Sequence, residues 1–350
     1  MADLPASPPV LGPALGVADY ISAAERENTL RSYESAVRHF EEDWHGLLPA
    51  TSDQVARYLA DYASTLSVNT LRVRLAALSR WHSDQGFVDP TKAPLVRQVL
   101  KGIRAMHPLT EKRAKSLGIE VLEEVDQWLS MRIAEAQRAD NAAALAQHTR
   151  DRSLLLLGFW RGFRSDELVN LSAENVKLAP GEGMVVRVFR SKTDRANLGR
   201  EHPCPALTRL CPVAAYQAWV ELAGIKDGAV YRKVDRWGHV GEEGLHVNSV
   251  IGLLRRLFSD AGVSHPEAYS SHSLRRGFAG WARDSGWDLR DLMAYVGWRD
   301  VKSAMRYLDA STTALQQRFE SGLAQTSSPL LTPVPAPALQ RPAGPVNSTR

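Results

Sequence analysis

Apolar residues in the first third of the chain recur at intervals of three and four, the period of helices that bury one face. Leu30, Tyr33, Val37, Phe40 and Trp44 form one stripe, and Val55, Tyr58, Leu59 and Tyr62 form the next. Thr51, followed three residues later by Gln54, offers a reciprocal cap at the start of the second helix. A third stripe, Leu71, Leu75, Leu78 and Trp81, predicts a helix over 71–81 that stops near Gly86. A fourth segment, 95–105, sets Val96, Val99, Leu100 and Ile103 on one side and Arg97, Lys101 and Arg104 on the other. The helical pattern lies between Ile21 and Met106, so this stretch reads as an all-helical domain.

Beyond it the pattern changes. Leu154 to Leu157 with Phe159 and Trp160 reads as a buried helix that runs into Gly162-Phe163-Arg164. Met184 to Arg190 is rich in strand formers and follows the turn Gly181-Glu182-Gly183, so it reads as a strand. Ser191 to Asp194 is its exit, and a second strand resumes near Arg200 to Pro203. Cys211-Pro212-Val213 looks like a helix start. Ser270 and Ser271 are candidate N-caps for a helix carrying His272 and Arg275 on one face, and Gly277, Ala279 and Gly280 behind them are small enough for close packing. Leu289, Leu292, Met293 and Val296 predict a short amphipathic helix ended by Gly297, and Leu315, Phe319 and Leu323 a terminal one. Residues 1–18 and 325–350 are rich in Pro and Ala and read as disordered tails.

A chain of 350 residues with 44% hydrophobic content can form two compact domains, and its helix-rich texture speaks against a sandwich or barrel. The net charge of +4 is modest but compatible with nucleic-acid binding. Cys204 and Cys211 make no metal-ligand pattern and point to a reducing compartment. With no long apolar span, no signal peptide and no nucleotide-binding glycine loop, the expectation is a cytoplasmic protein without membrane, metal or cofactor.

The candidate chemistry lies in polar residues scattered over the second half. Arg164 and Arg275 can neutralise one phosphate, Lys192 and His272 can move protons, and the hydroxyl of Tyr307 can act as a covalent nucleophile. Taken singly, each has an ordinary structural reading. Arg164 and Glu167 would be a helix pair, Lys192 an exposed loop residue, and Tyr307 a half-buried packing residue. Against the first reading stands the apolar segment before Arg164, where a charge needs a partner, and Glu167 can supply it.

In order along the chain, Arg164, Lys192, His272, Arg275, Trp298 and Tyr307 resemble the catalytic series of the tyrosine recombinase, or phage integrase, family, in its Cre/Xer-like branch. Gly162-Phe163-Arg164 with Glu167-Leu168 matches the first arginine motif, His272-Ser273-Leu274-Arg275 the second, and Gly297-Trp298 with Arg306-Tyr307 the last. The resemblance covers roughly residues 20–322. Most relatives have histidine where Trp298 stands, so an indole N–H donor and packing are expected there rather than proton transfer. The resemblance implies a mainly α, two-domain protein: an all-helical SAM-like core-binding domain over 19–106, a basic linker over 107–115, and an α+β catalytic domain with a small antiparallel sheet over 116–324. It also implies that Lys192 is the general acid, that double-stranded DNA with a specific recombination site is the substrate, and that a tetramer forms on it. The terminal helix then packs in cis or on a neighbouring subunit. Arg97, Lys101, Arg104, Lys112, Arg113 and Lys115 become candidate DNA contacts, and an additional amino-terminal arm-binding domain is not expected. The alternatives are a type IB topoisomerase or telomere resolvase, and a non-catalytic DNA-binding accessory protein.

Overall fold

The computed structural model describes residue 16 and residues 27–107, 114–179, 182–189, 199–305 and 307. The chain divides into two compact units, Met1–Lys112 and Arg113–Arg350.

The first unit contains four helices among its described residues: α1 (Glu27–Arg38), α2 (Ser52–Asp61), α3 (Val68–Asp84) and α4 (Pro94–Met106). The stripes of α2, α3 and α4 meet with Phe40 in a core of Val55, Tyr58, Leu59, Leu71, Leu78, Val96 and Ile103, and α1 packs on α3. The expected cap is present, with the Gln54 amide 3.3 Å from the Thr51 hydroxyl and the Thr51 amide donating to Oε1 of Gln54 at 2.9 Å. The third helix is longer than its apolar stripe because Ser67 caps it one turn earlier. One departure is local: α1 widens into a π-helical turn over His39–Asp43, where Phe40 is buried and Trp44 reaches Asp61 through its indole N–H. His82, fully buried, accepts the Ala50 amide at Nε2 and donates from Nδ1 to the Leu78 carbonyl, so both ring nitrogens are satisfied.

The second unit is built around α6 (Ala142–Arg161), whose last nine residues are all buried. A helix apolar on every side belongs in the centre of its domain. Against it pack α5 (Ile119–Arg138), α8 (Pro212–Leu222) and α10 (Ser271–Asp284). The short α7 (Ser165–Val169) follows α6 directly. β1 (Val176–Ala179), β2 (Gly183–Val188) and β3 (Arg200–Pro205) form an antiparallel sheet in that order, with Val186 opposite both Val176 and His202. β4 (Arg232–Val234) and β5 (Val240–Gly244) form a separate hairpin. α9 (Ser249–Asp260), α11 (Leu289–Val296) and α12 (Val301–Met305) complete the described elements. The mainly helical architecture with small antiparallel sheets is therefore as expected. β1 and the β4–β5 hairpin were not anticipated, because β1 is only four residues long and the charged, glycine-rich hairpin lacks the alternation that marks a half-buried strand.

Two glycines are required by close backbone approach. A Cβ on Gly183 would lie 2.4 Å from the Cys204 carbonyl oxygen across the sheet, and one on Gly277 would lie 2.1 Å from the Leu117 carbonyl oxygen. The Leu117 amide donates to the Ser273 carbonyl, so the segment entering the second unit is laid directly on α10. Gly280, grouped with Gly277 in the sequence reading, faces open space and plays no part in this approach. Among the described residues no helix is long and apolar enough to cross a membrane.

Replacing Gly277 with alanine is expected to destabilise the second unit by about 1–3 kcal/mol through overpacking, while Gly280→Ala is neutral or stabilising. Denaturant titration of the two variants checks the contrast.

Candidate active site

The site begins where α6 ends. Gly162 adopts φ +57°, a left-handed conformation that terminates the helix and turns the chain so that Arg164 stands at the N-cap of α7. Glu167, three residues on, holds Arg164 twice: the Arg164 amide donates to Oε2 at 2.8 Å and its guanidinium Nη1 to Oε1 at 2.6 Å. The expected pair is therefore a cap as well as an ion pair.

Arg275 comes from α10, one turn after the Ser270 cap, and is only 1% exposed. Its Nη1 donates to the Gly162 carbonyl at 2.6 Å and lies 3.7 Å from Oε2 of Glu167, and Nη2 lies 3.5 Å from the Val296 carbonyl oxygen. Burial, with the positive Arg164 next, lowers its pKa to about 10, and Glu167 opposes the shift; Arg275 stays a cation at neutral pH. Its guanidinium lies over the rings of Trp298 (5.2 Å) and Tyr307 (5.6 Å), which are themselves stacked 5.2 Å apart. The Tyr307 hydroxyl is 3.2 Å from Nδ1 of His272. Nε of Arg275 and Nε1 of Trp298 are buried with no hydrogen-bond partner among the described residues. An indole N–H and a guanidinium N–H left unpaired beside a tyrosine hydroxyl suit this place to an anion.

Five of the six catalytic candidates fall into one network: Arg164, Arg275 and Trp298 with Tyr307 and His272, and Glu167 beneath the arginines. Lys192 lies outside the described residues. Of the expected DNA contacts, Arg97, Lys101 and Arg104 form the exposed face of α4, opposite buried Val96 and Ile103. Lys115 lies over the Tyr269 ring at 5.2 Å, just ahead of His272 along the chain. Lys112 and Arg113 lie outside the described residues, as does the predicted terminal helix with Leu315, Phe319 and Leu323.

Arg161 and His202 join this region without being among the candidates named from the sequence. Arg161, 1% exposed, donates to the Pro203 carbonyl at 3.0 Å, to Nδ1 of His202 at 2.7 Å and to the Tyr295 carbonyl at 2.7 Å, and it stacks 3.8 Å above the Tyr295 ring. The signal was present, since a charge ending the buried run 154–160 needs partners, but the partners come from distant segments. Burial, then the charges of Arg161, Arg200 and Arg275, push the His202 pKa down to about 3, so its ring is neutral and carries its proton on Nε2.

The phage integrase family model matches residues 130–313, more than half of the chain, and the chain belongs to that family. It is a tyrosine recombinase, a DNA breaking-rejoining enzyme with Xer- and Cre-like homologues. An integrase/recombinase xerD homolog of Selenomonas ruminantium is 27% identical over 299 residues, covering 83% of each chain. The recombinase cre of Escherichia phage P1 is 24% identical over 292 residues, 78% of this chain and 81% of its own. The fold is shared with XerH site-specific recombinase bound to palindromic difH substrate in a post-cleavage complex (TM-score 0.57, 18% identity, 84% of this chain and 79% of that one). It is shared also with a lambda integrase(75-356) dimer bound to a COC' core site (TM-score 0.54, 16% identity, 83% and 91%).

A histidine whose folded pKa lies below its unfolded value near ~6.5 leaves the unfolded chain binding more protons between those values. His202 therefore makes stability fall as pH drops from about 6.5 towards 3. His202→Gln is expected to flatten this acid limb, as read from denaturant titrations at stepped pH.

Proposed function

We propose that this chain is a site-specific recombinase that cleaves DNA with Tyr307, holds the strand as a 3′-phosphotyrosyl bond, and rejoins it to a new partner. The observation that carries this reading is the approach of the Tyr307 hydroxyl to His272 beside two arginines and two unpaired buried donors. In-line attack forms the bond from the tyrosine oxygen to phosphorus and breaks the bond from phosphorus to the 5′ oxygen. His272 receives the tyrosine proton as the oxygen attacks. Lys192 delivers a proton to the departing 5′ oxygen. Arg164, Arg275 and the indole of Trp298 meet the charge that develops on the non-bridging oxygens, in a cradle arranged before the reaction. Glu167 keeps the two guanidiniums together. The phosphotyrosyl bond conserves the energy of the broken one, so a 5′ hydroxyl can reverse the step without cofactor or metal.

In the same reading, residues 19–106 form the core-binding domain, 107–115 a basic linker and 116–324 the catalytic domain. Arg97, Lys101, Arg104, Lys112, Arg113 and Lys115 contact DNA phosphates, which fix register without reading bases. A tetramer assembles on two sites to integrate, excise or resolve a mobile element in the cytoplasm. The capture of relatives on difH and on a core site supports a defined duplex site as substrate.

A nicked suicide duplex carrying the site that this chain selects from a random-sequence DNA library tests the reading. The wild type is expected to accumulate a covalent protein–DNA adduct, Tyr307→Phe none, and Arg275→Ala about 100-fold less per unit time or lower still. Adducts formed by Tyr307→Phe would refute it. Relaxation of any supercoiled plasmid without site preference would favour a topoisomerase instead.

A further inference from the structure

The C-terminal end of α11 has an unusual set of partners. A helix leaves its last four carbonyls without intrahelical donors. Here the Met293 carbonyl accepts the amides of Gly297 and Trp298, at 2.9 and 3.0 Å, through the left-handed turn at Gly297. The next three face three different arginines. Arg200 Nη2 donates to the Ala294 carbonyl at 2.6 Å, Arg161 Nη2 to Tyr295 at 2.7 Å, and Arg275 Nη2 lies 3.5 Å from that of Val296. The guanidiniums come from β3, α6 and α10. Such clustering of like charge is unfavourable by itself, and the negative end of the helix dipole offsets it. The turn is also shaped for this neighbourhood: a Cβ on Gly297 would lie 3.2 Å from Nη1 of Arg200 and 3.7 Å from Cε1 of His202. Trp298, with its unpaired N–H, follows immediately.

We propose that Arg200 and Arg161 are positioning residues for strand cleavage, clamping the end of α11 so that Arg275 and Trp298 present their unpaired N–H groups to the scissile phosphate. This rests on the reading of Arg275 and Trp298 as phosphate ligands. Arg161 is buried and joins α6, β3 and α11 in one contact set, whereas Arg200 is exposed and its replacement leaves the core intact. Arg200 is therefore the residue to vary.

The experiment uses the full chain and the nicked duplex described above, with three readouts: the single-turnover rate of adduct formation, the Kd for the duplex at fixed salt, and the Tm. Arg200→Ala is expected to slow adduct formation about tenfold or more, because small misplacements of a catalytic group are costly. Its Kd and Tm remain near those of the wild type. Arg200→Lys, which restores a cationic donor to the Ala294 carbonyl, recovers the rate to within about threefold. An unchanged rate in Arg200→Ala overturns the proposal, and so does no recovery in Arg200→Lys. Parallel loss of rate and affinity would make Arg200 a DNA contact, and loss of rate in step with Tm a structural residue; either result also overturns it. A wild-type rate in Arg275→Ala would remove the underlying reading, whatever Arg200→Ala does.

Discussion

The second unit is organised around the burial of one guanidinium. Placing Arg275 out of water costs several kcal/mol unless its donors are met and its charge is balanced, and the chain meets that requirement with groups from three separate segments. The Gly162 carbonyl comes from the end of α6, Glu167 from α7, and the Val296 carbonyl from the end of α11. The two carbonyls are available because the local backbone stops a helix at each, and Glu167 because the first turn of α7 faces Arg275. Left-handed turns at Gly162 and Gly297 are therefore part of the site, since they turn the chain where carbonyls must face Arg275.

From that anchor the neighbouring groups follow. Leu274, beside Arg275, packs on Gly158 of α6, and Gly277 allows the Leu117 backbone to lie against α10. The helix bearing His272 and Arg275 is thus fixed on two sides before any substrate arrives. Trp298 and Tyr307 stack on each other and against the Arg275 guanidinium, which sets the plane of the phenol while leaving its oxygen beside His272. Positive charge exceeds negative around Arg275 among the described residues, where Arg164 and Arg161 act on it together with the carboxylate of Glu167. That imbalance is tolerable in the free protein because helix-end carbonyls take up the excess, and a bound phosphate is favoured by it.

Local patterns were legible and tertiary partners were not. The four helices of the first unit carry clear three- and four-residue apolar periods, and the Thr51–Gln54 cap is written in adjacent residues, so both were readable. The Ser270 cap and the stop at Gly297 were readable for the same reason. β1 and the β4–β5 hairpin escaped because their stability comes from pairing rather than from alternation. At the site, the residue types and their order pointed to phosphate chemistry. Arg161, a charge ending a buried apolar run, signalled only that it needs partners; which ones, and the roles of Arg200 and His202, were hidden because the partners lie 41 to 134 positions away in the chain.

In the proposed reaction the DNA strand is carried on Tyr307. Trapped adduct, digested with nuclease and protease and analysed by tandem mass spectrometry, locates the attachment directly. A nucleotide remnant joined through its 3′ phosphate to Tyr307 is expected; a remnant on any other residue, or joined through a 5′ phosphate, would rule this chemistry out.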